Sequence, residues 1–313
     1  MAEKLKINNI VLKNRLFLAP MVDITDLPYR IICKRAGAAM VYTEMLYISS
    51  ILHENAKTKS LMKFIPEEKP IGIQITGNNV QEFMKVIPFV KKYDLVDINC
   101  GCPSIKITGN KSGSYLLKNP EKISKMIKIL KEEGLTVTAK IRLGFTHNNV
   151  LKTARSIEKA GADALTVHAR LAHHGSNIPA DWSWIKKVKQ NIGIPVIGNG
   201  DISSGRHAEQ MLEIADGAMI ARASIGDPLV FKRILHYLKT GKELPFNFQE
   251  NIIELGKYLK LAKKYNIIEI PRIKQIGVRF IKNIQGAARL RQRLMALKTY
   301  EEITNFIKET SNK

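Results

Sequence analysis

The chain has 313 residues, 45% of them hydrophobic, and its 50 Lys and Arg against 28 Asp and Glu give a net charge of +22. This composition excludes intrinsic disorder as the main state, and the sequence has no run of about 18 uncharged apolar residues that could cross a membrane. Three cysteines are too few for a disulfide framework and the N-terminus lacks a signal segment, so we expect a cytoplasmic protein. The charge favours a polyanionic partner, although a lysine-rich surface that serves solubility would give the same total.

Short apolar runs alternate along the chain with amphipathic stretches. Runs almost continuous in Val, Ile, Leu and Ala are typical of strands covered on both faces, and they predict strands at Leu16–Met21, Met40–Thr43, Ile71–Thr76, Leu95–Asn99, Thr136–Arg142, Ala164–His168, Pro195–Gly200 and Ala218–Ala221. The stretches between them predict helices at Asn79–Lys91, Pro120–Lys131, Val150–Ala160, Ser183–Gln190 and Ser203–Ile214. Eight βα units in about 230 residues favour an α/β fold of the (β/α)8 TIM-barrel type. A doubly wound open sheet stays an alternative, because a strand count does not show closure.

The C-terminal part of the chain differs in pattern and in charge. Beyond Thr240–Pro245 the periodicity is helical only, so we predict a barrel over residues 1–242 and a small all-α domain over residues 243–313. Residues 241–313 hold 15 Lys and Arg against 7 Asp and Glu, which makes them about twice as positive per residue as the rest. Four cations are spaced to share one face of a single helix: Arg279, Lys282, Arg289 and Arg293. An apolar face would pack inward through Ile273, Ile276, Phe280, Ile284 and Ala288.

Residues that could take part in catalysis or ligand binding follow every predicted strand. In chain order they are Pro20 and Met21, Glu44, Gln74, Asn99 to Pro103, Lys140 and Arg142, His168 and Arg170, Asn199 to Asp201, and Arg222. Because active sites of TIM barrels lie at the carboxyl ends of the strands, we predict the site there. The sequence "GNGD" (198–201) and Arg222 indicate a phosphate site after the last two strands, although tight turns alone would explain the glycines. Lys140 and His168 would then lie over the rest of a phosphate-bearing cofactor.

Cys102 lies directly after a predicted strand, between Gly101 and Pro103. A thiol is mostly protonated at neutral pH, so it could act as a general acid, whereas a lowered pKa would make it a nucleophile. A buried, chemically inert cysteine is the third interpretation, and it is the one we favour for Cys33. No second Cys pair and no suitably spaced His accompany Cys100 and Cys102, so we expect no metal site.

Segments spread along residues 16–231 resemble the tRNA-dihydrouridine synthases, flavoenzymes that reduce uridine in tRNA to 5,6-dihydrouridine. The matching segments, in the family's order, are "LAPMVDITDLPYR" (18–30), "YTEM" (42–45), "IQITGN" (73–78), "DINCGCPS" (97–104), "SGSYLL" (112–117), "KIRLGF" (140–145), "VHAR" (167–170), "IPVIGNGDI" (194–202) and "DGAMIARASIGDPLVF" (216–231). The segment "GAARLRQRL" (286–294) also looks like that family's helical tRNA-binding domain.

The resemblance implies FMN as the cofactor, NADPH or NADH as a transient reductant and tRNA as the partner. It implies FMN contacts at Pro20, Met21, Val22, Gln74, Lys140, His168, Asn199, Gly200, Asp201, Ala221 and Arg222. Cys102 matches the family's proton donor, and Asn99 and Arg142 match residues that hold the target uracil. A hydride would pass from the flavin to uracil C6 and a proton from Cys102 to C5. The basic residues Arg279, Lys282, Arg289 and Arg293 would contact the tRNA.

Two other functions remain open at this stage. Another FMN barrel, similar to dihydroorotate dehydrogenase, would act on a small pyrimidine, but such a substrate does not need the basic C-terminal region. A non-catalytic RNA-binding module would keep the barrel only as a scaffold. Flavin absorbance would separate that module from both enzymes, and activity on tRNA against orotate would separate the two enzymes.

Overall fold

The computed structural model describes residues 4–311. Its strands are β1 (Lys6–Ile7), β2 (Ile10–Val11), β3 (Leu16–Leu18), β4 (Val41–Tyr42), β5 (Leu46–Tyr47), β6 (Ile71–Thr76), β7 (Leu95–Cys100), β8 (Val137–Arg142), β9 (Ala164–His168), β10 (Val196–Asn199) and β11 (Gly217–Ile220). Its first eleven α-helices are α1 (Leu27–Arg35), α2 (Ile48–Leu52), α3 (Ala56–Leu61), α4 (Val80–Lys85), α5 (Ile87–Val90), α6 (Ile105–Gly109), α7 (Pro120–Glu132), α8 (Val150–Lys159), α9 (Ser183–Asn191), α10 (Gly205–Ile214) and α11 (Val230–Thr240). The C-terminal helices are α12 (Phe248–Lys264), α13 (Ile270–Phe280), α14 (Ala287–Ala296) and α15 (Tyr300–Ser311).

The parallel strands form a barrel with eight strand positions in the described part of the chain. The hydrogen-bonded order is β3, β11, β10, β9, β8, β7, β6 and β4, and β5 also pairs with β6, so β4 and β5 share one position. The ring closes beside β3, where the Leu18 amide donates to the Met40 carbonyl and the Ala39 amide to the Leu16 carbonyl, each at 2.9 Å. The predicted (β/α)8 barrel is therefore confirmed, and the alternative open sheet is wrong.

Two apolar layers stabilise this barrel. The barrel interior is filled by a buried cluster that includes Phe17, Tyr42 and Met219. The hairpin β1–β2 adds Leu5 and Ile7 to that cluster, and it lies at the amino end of the strands. A larger layer packs the outer faces of the strands against the helices. Since both faces of the strands are covered, nearly every strand position is apolar, which is what made the strands visible in the sequence.

The predicted helices are present, with two informative differences. The stretch predicted as one helix, Asn79–Lys91, forms α4 and α5, which meet at Val86 beside Pro88. The helix predicted to start at Ser203 begins at Gly205, because the Ser204 side chain accepts a hydrogen bond from the His207 amide and caps it. Within residues 4–311, no helix combines the length and apolar character needed to cross a membrane.

The C-terminal region is helical, but the predicted single basic helix is wrong. Helix α13 ends at Phe280 and α14 begins at Ala287, since Asn283 and Gly286 take positive φ angles of 58° and 76° and turn the chain between them. Arg279 therefore lies on α13, Lys282 lies in the turn, and Arg289 and Arg293 lie on α14. The predicted apolar face is also interrupted, because Ala288 is exposed.

Buried ion pairs attach these helices to the barrel. Arg272 of α13 donates to Glu44, which follows β4, and its Nε lies 3.4 Å from a carboxylate oxygen of Asp26. Tyr258 of α12 donates to the same Asp26 carboxylate at 2.8 Å. Glu44 in turn accepts from the amide of Asp23, in the loop that follows β3, at 2.8 Å. The C-terminal helices thereby contact the loop after β3, which lies at the carboxyl end of the barrel.

Candidate functional site

The carboxyl ends of the strands surround a cavity of about 630 Å³. Nine of the predicted cofactor residues line it: Pro20, Met21, Lys140, His168, Asn199, Gly200, Asp201, Ala221 and Arg222. Arg170 also lines this cavity. Of the other residues predicted to contact the cofactor, hold the uracil or donate the proton, five lie outside the cavity lining within residues 4–311, namely Val22, Gln74, Asn99, Cys102 and Arg142. Strand register nevertheless brings two of them next to residues of the lining, because Asn99 is paired with Lys140, and Arg142 with His168, across neighbouring strands.

The turn after β10 brings backbone atoms close to the cavity. Gly200 has a φ of 122°, which side-chain-bearing residues rarely adopt, and a Cβ there would lie 2.8 Å from the Cβ of Ala180. Trp182 Nε1 donates to the Gly200 carbonyl at 2.9 Å and fixes the peptide. The next residue, Asp201, also has a positive φ of 55°. Glycine is thus required at position 200, and the turn leaves room for a ligand to approach the main chain.

Asp201 joins two arginines at this end of the cavity. Its carboxylate accepts from Arg170 at 2.6 Å and from Arg222 at 2.6 Å. Burial alone would raise the pKa of Asp201, but the hydrogen bonds from Arg170 and the Ala180 amide outweigh it and hold that pKa below its ordinary value. With Lys140 included, three cationic side chains and one carboxylate line the cavity, so its net charge suits an anionic group.

Lys140 is held in the floor of the cavity. Its ammonium donates to the side-chain oxygen of Asn199 at 3.1 Å, and the Asn199 amide group donates to the Met219 carbonyl at 2.8 Å. Burial and the neighbouring Arg142 lower the pKa of Lys140 to about 8. The residue is therefore a fixed cation whose charge responds to pH close to the physiological range.

His168 is neutral in this environment. Burial, together with the nearby charges of Lys140 and Arg142, lowers its pKa well below the ordinary value. Arg170 Nη1 lies 3.1 Å from His168 Nε2, and since a guanidinium can only donate, that nitrogen must accept. The proton of the imidazole is consequently on Nδ1, so His168 presents a hydrogen-bond donor on its other side.

The segment that contains Cys102 is held by hydrogen bonds on both sides. Asn99 Oδ1 accepts from the amides of Gly101 and Cys102 at 3.1 and 2.9 Å. Arg142 Nε donates to the Gly101 carbonyl at 2.9 Å, and its Nη1 donates to the Leu171 carbonyl at 2.8 Å. Cys102 is partly exposed, whereas Cys33 and Cys100 are fully buried. Cys102 is therefore the cysteine that a substrate at the barrel mouth can reach.

Two residues that have no role in the predicted site make central contacts within it. The sequence places Arg170 at a strand end but indicates no role for it. In the structure it contacts both His168 and Asp201. Asp97 lies within β7, where its carboxylate accepts from Gln74 Nε2 at 2.7 Å and from Thr138 Oγ1 at 2.6 Å. A carboxylate in the middle of an apolar strand is the feature that could have identified it.

The predicted tRNA-contacting cations are outside the cavity. Arg279, Arg289 and Arg293 are exposed, and Arg293 lies 3.6 Å from the Glu309 carboxylate. Lys282 is half-buried and donates to the Ile225 carbonyl at 3.2 Å, so its charge is partly used within the protein. Arg289 and Arg293 of α14 are thus the two of the four that share one helix.

Metal chemistry was not expected from the sequence. Within residues 4–311, the structure has no group of three or more His, Cys, Asp or Glu side chains arranged to hold a metal ion.

Several solved structures share the fold of this chain. The old yellow enzyme homologue from Zymomonas mobilis matches with a TM-score of 0.55 at 13% identity, covering 80% of this chain and 95% of that one. Morphinone reductase matches with a TM-score of 0.54 at 13% identity, covering 78% of this chain and 90% of that one. At this identity the likeness establishes the shared fold alone.

Sequence comparisons go further than the fold. The family model described as dihydrouridine synthase matches residues 17–313. The tRNA-dihydrouridine synthase B of Vibrio vulnificus is 36% identical over 305 residues, which cover 94% of each chain. The protein of the same name from Escherichia coli is 36% identical over 248 residues, or 77% of each chain. The chain belongs to the dihydrouridine synthase family and is an oxidoreductase.

Proposed function

We propose that this protein reduces uridine in tRNA to 5,6-dihydrouridine, with FMN as its cofactor and NADPH or NADH as the reductant. The observation that supports this most directly is a partly exposed cysteine, Cys102, whose segment is held by Asn99 and Arg142, the strand neighbours of Lys140 and His168 in a cationic cavity. Family membership supports the same reaction, because the relatives are named tRNA-dihydrouridine synthase.

The cavity has the properties that FMN requires. Its volume of about 630 Å³ lies in the usual range for cofactor sites. The close-approaching turn at Gly200 and the Arg222 guanidinium are suited to the phosphate. The excess of positive charge around Asp201 would also attract a phosphate dianion. We therefore propose that these residues hold the phosphate, and that Pro20, Met21, Val22, Gln74, Asn199 and Ala221 contact the remainder of the cofactor.

Lys140 and His168 are proposed to contact the flavin ring through polar atoms. Lys140 is fixed by Asn199 and supplies a positive charge, while neutral His168 offers its Nδ1 proton as a hydrogen-bond donor. When bound, FMN would supply the hydride chemistry between the nicotinamide cofactor and uracil C6.

The side chains near Cys102 are proposed to hold the extruded uracil and to complete its reduction. Unstacking a base from RNA costs a few kcal/mol, which contacts in the cavity mouth must offset. Arg142 has its Nη2 outside the hydrogen bonds described above, and Asn99 Nδ2 uses one of its two protons on Gln74, so both can donate to a uracil carbonyl. The Cys102 thiol would give its proton to C5 of the uracil and become a thiolate.

The tRNA is proposed to lie across the barrel mouth and the helical region. We propose two domains, a catalytic barrel over residues 1–242 and a tRNA-binding domain over residues 243–313. Arg279, Lys282, Arg289 and Arg293 would contact phosphates, which give affinity with little sequence preference. A tRNA substrate and three free cysteines are both consistent with a cytoplasmic location.

The proposal is tested by mass-spectrometric mapping of dihydrouridine in tRNA from cells with and without this chain. We expect specific dihydrouridine positions to revert to uridine when the chain is absent. Unchanged dihydrouridine would contradict the proposal. Purified protein with flavin absorbance that reduces orotate but not tRNA would indicate the small-pyrimidine enzyme, and protein that binds tRNA without flavin would indicate the non-catalytic module.

A further inference from the structure

A chain of buried hydrogen bonds runs from Asp97 to the backbone of Cys102. Asp97 accepts from Gln74 Nε2 at 2.7 Å, and Gln74 Oε1 accepts from Asn99 Nδ2 at 2.8 Å. Asn99 Oδ1 then accepts from the amides of Gly101 and Cys102. The three side chains are 2%, 1% and 8% exposed, so bulk water does not compete for these hydrogen bonds.

The direction of these hydrogen bonds is fixed from the Cys102 end. Backbone amides can only donate, so Asn99 must turn its oxygen to Gly101 and Cys102 and its amide group to Gln74. Gln74 must then turn its oxygen to Asn99 and its amide group to Asp97, whose carboxyl oxygen accepts from it. No donor meets a donor anywhere in this series of hydrogen bonds.

The other contacts of Cys102 do not replace this chain. The Ser114 amide donates to the Cys102 carbonyl at 3.0 Å, and Gly113, whose φ is 60°, allows that approach because a Cβ there would lie 2.7 Å from the same carbonyl oxygen. Those contacts hold the carboxyl side of Cys102. On the amide side, Arg142 Nε donates to the Gly101 carbonyl at 2.9 Å, but the amide of Cys102 itself is held by Asn99, whose orientation depends on Gln74 and Asp97.

We propose that Asp97 is a positioning residue which, acting through Gln74 and Asn99, holds the Cys102 backbone so that the thiol points at its substrate carbon. This inference rests on the proposed function, because it assumes that Cys102 delivers a proton to uracil. Asp97 itself lies within β7, covered by Gln74 and Thr138, and acts only through its neighbours. Small displacements of a reacting group are enough to slow a reaction by large factors.

The test compares Asp97→Leu with Asp97→Asn. Leucine removes the acceptor for Gln74, whereas asparagine keeps a side-chain oxygen that can face Gln74 while its amide group faces Thr138. We expect Asp97→Leu to lower kcat by about tenfold or more with the KM for tRNA unchanged, and Asp97→Asn to restore most of the rate. Thr138→Val is the matched control, since it removes the other hydrogen-bond partner of Asp97 and leaves the hydrogen bonds from Asp97 to Cys102 intact.

A second measurement follows Cys102 directly, as its rate of alkylation by iodoacetamide in the FMN-loaded protein. Cys33 and Cys100 are fully buried, so the native protein reports on Cys102. We expect alkylation to become several-fold faster in Asp97→Leu, because the freed segment exposes the thiol more often, and to stay near the wild-type rate in Asp97→Asn and Thr138→Val. If Asp97→Leu does not fold, Asp97→Ala removes the same acceptor with a smaller side chain and is expected to give the same change in alkylation.

The outcomes separate this inference from the proposed function. Equal alkylation rates in the wild type and the folded leucine variant would overturn the positioning role, and so would an equal loss of rate in Thr138→Val. A wild-type protein that forms no dihydrouridine would overturn the proposed function and with it the proton delivery by Cys102.

Discussion

Lys140 and Asn199 are joined by a 3.1 Å hydrogen bond although their strands, β8 and β10, are separated by β9. The bond passes over the barrel interior and places the ammonium in the cavity floor, close to His168. A flexible side chain at a strand end is thereby converted into a fixed charge. Its lowered pKa gives this arrangement a measurable consequence.

FMN binding is predicted to weaken as the pH rises through about 8. The pKa of Lys140 in the free protein is about 8, so above that pH the ammonium loses its proton and the positive charge offered to the cofactor is lost. The dissociation constant of FMN should then increase, by up to about tenfold per pH unit. Fluorescence titrations between about pH 6.5 and 9.5 measure this profile.

The control for this profile is Lys34, whose pKa is also lowered to about 8, by burial and by Lys13. Lys34 donates to the carbonyls of Ala39 and Pro70 and is not part of the cavity lining among the described residues. We expect Lys34→Met to keep the wild-type profile and Lys140→Met to bind FMN more weakly with no inflection near pH 8. An inflection that survives in Lys140→Met would contradict this account.

Replacement of Cys102 by alanine is predicted to remove dihydrouridine formation and leave FMN binding unchanged. Loss of a general acid typically costs about 10²- to 10⁴-fold in rate. Single-turnover reactions with reduced enzyme and unmodified tRNA measure the loss, and Cys33→Ala is the control cysteine. A covalent bond between Cys102 and the tRNA during normal turnover would instead identify the thiol as a nucleophile.

Gly200→Ala is predicted to weaken FMN binding by at least about tenfold. The added Cβ would lie 2.8 Å from Ala180 and 3.2 Å from His168, so the turn must move away from its position at the cavity. Gly241 is the matched control, because it also has a positive φ, of 70°, but has open space around it. Gly241→Ala should lose roughly 1 kcal/mol of stability and keep its FMN affinity. Equal FMN affinities in the two variants would show that the turn does not contact the cofactor.

The affinity for tRNA is predicted to fall steeply with salt, and Arg289 and Arg293 should contribute to that dependence. Each phosphate contact that is lost should reduce the slope of log affinity against log salt by about 1. Binding titrations over a range of salt concentrations compare the double alanine variant with Lys125→Ala/Lys128→Ala, which removes the same charge from the exposed side of α7. A slope that changes equally in both variants would place the tRNA elsewhere.

The strands of the barrel could be predicted because they are buried on both faces. Burial on both faces favours apolar residues at successive positions within a strand, as in the strands that begin at Ile71 and Val196. The two-residue strands β1, β2 and β5 could not, since their pairing depends on neighbours that are distant in sequence. The sequence pattern predicts one continuous basic helix because the spacing of charged and apolar residues continues across Asn283 and Gly286. The tendency of these two residues to form turns outweighs that spacing, and the chain turns there.

The site was predicted as a set of strand ends, and nine of the eleven expected cofactor residues do line one cavity. What the sequence did not reveal was how these side chains hold each other. The role of Arg170 depends on the 3.1 Å contact with His168, and that of Asp97 on the orientation of Gln74. Such contacts join residues from different strands, so their geometry follows from the closed barrel and not from any local pattern.

The most direct test of the central claim uses the purified protein, FMN, NADPH and tRNA transcribed without modifications, followed by mass spectrometry of the digested tRNA. We predict that specific uridines gain two hydrogen atoms, that the gain requires both FMN and the reductant, and that Cys102→Ala abolishes it. Unchanged uridine with the FMN-loaded, reduced wild-type protein would contradict the account.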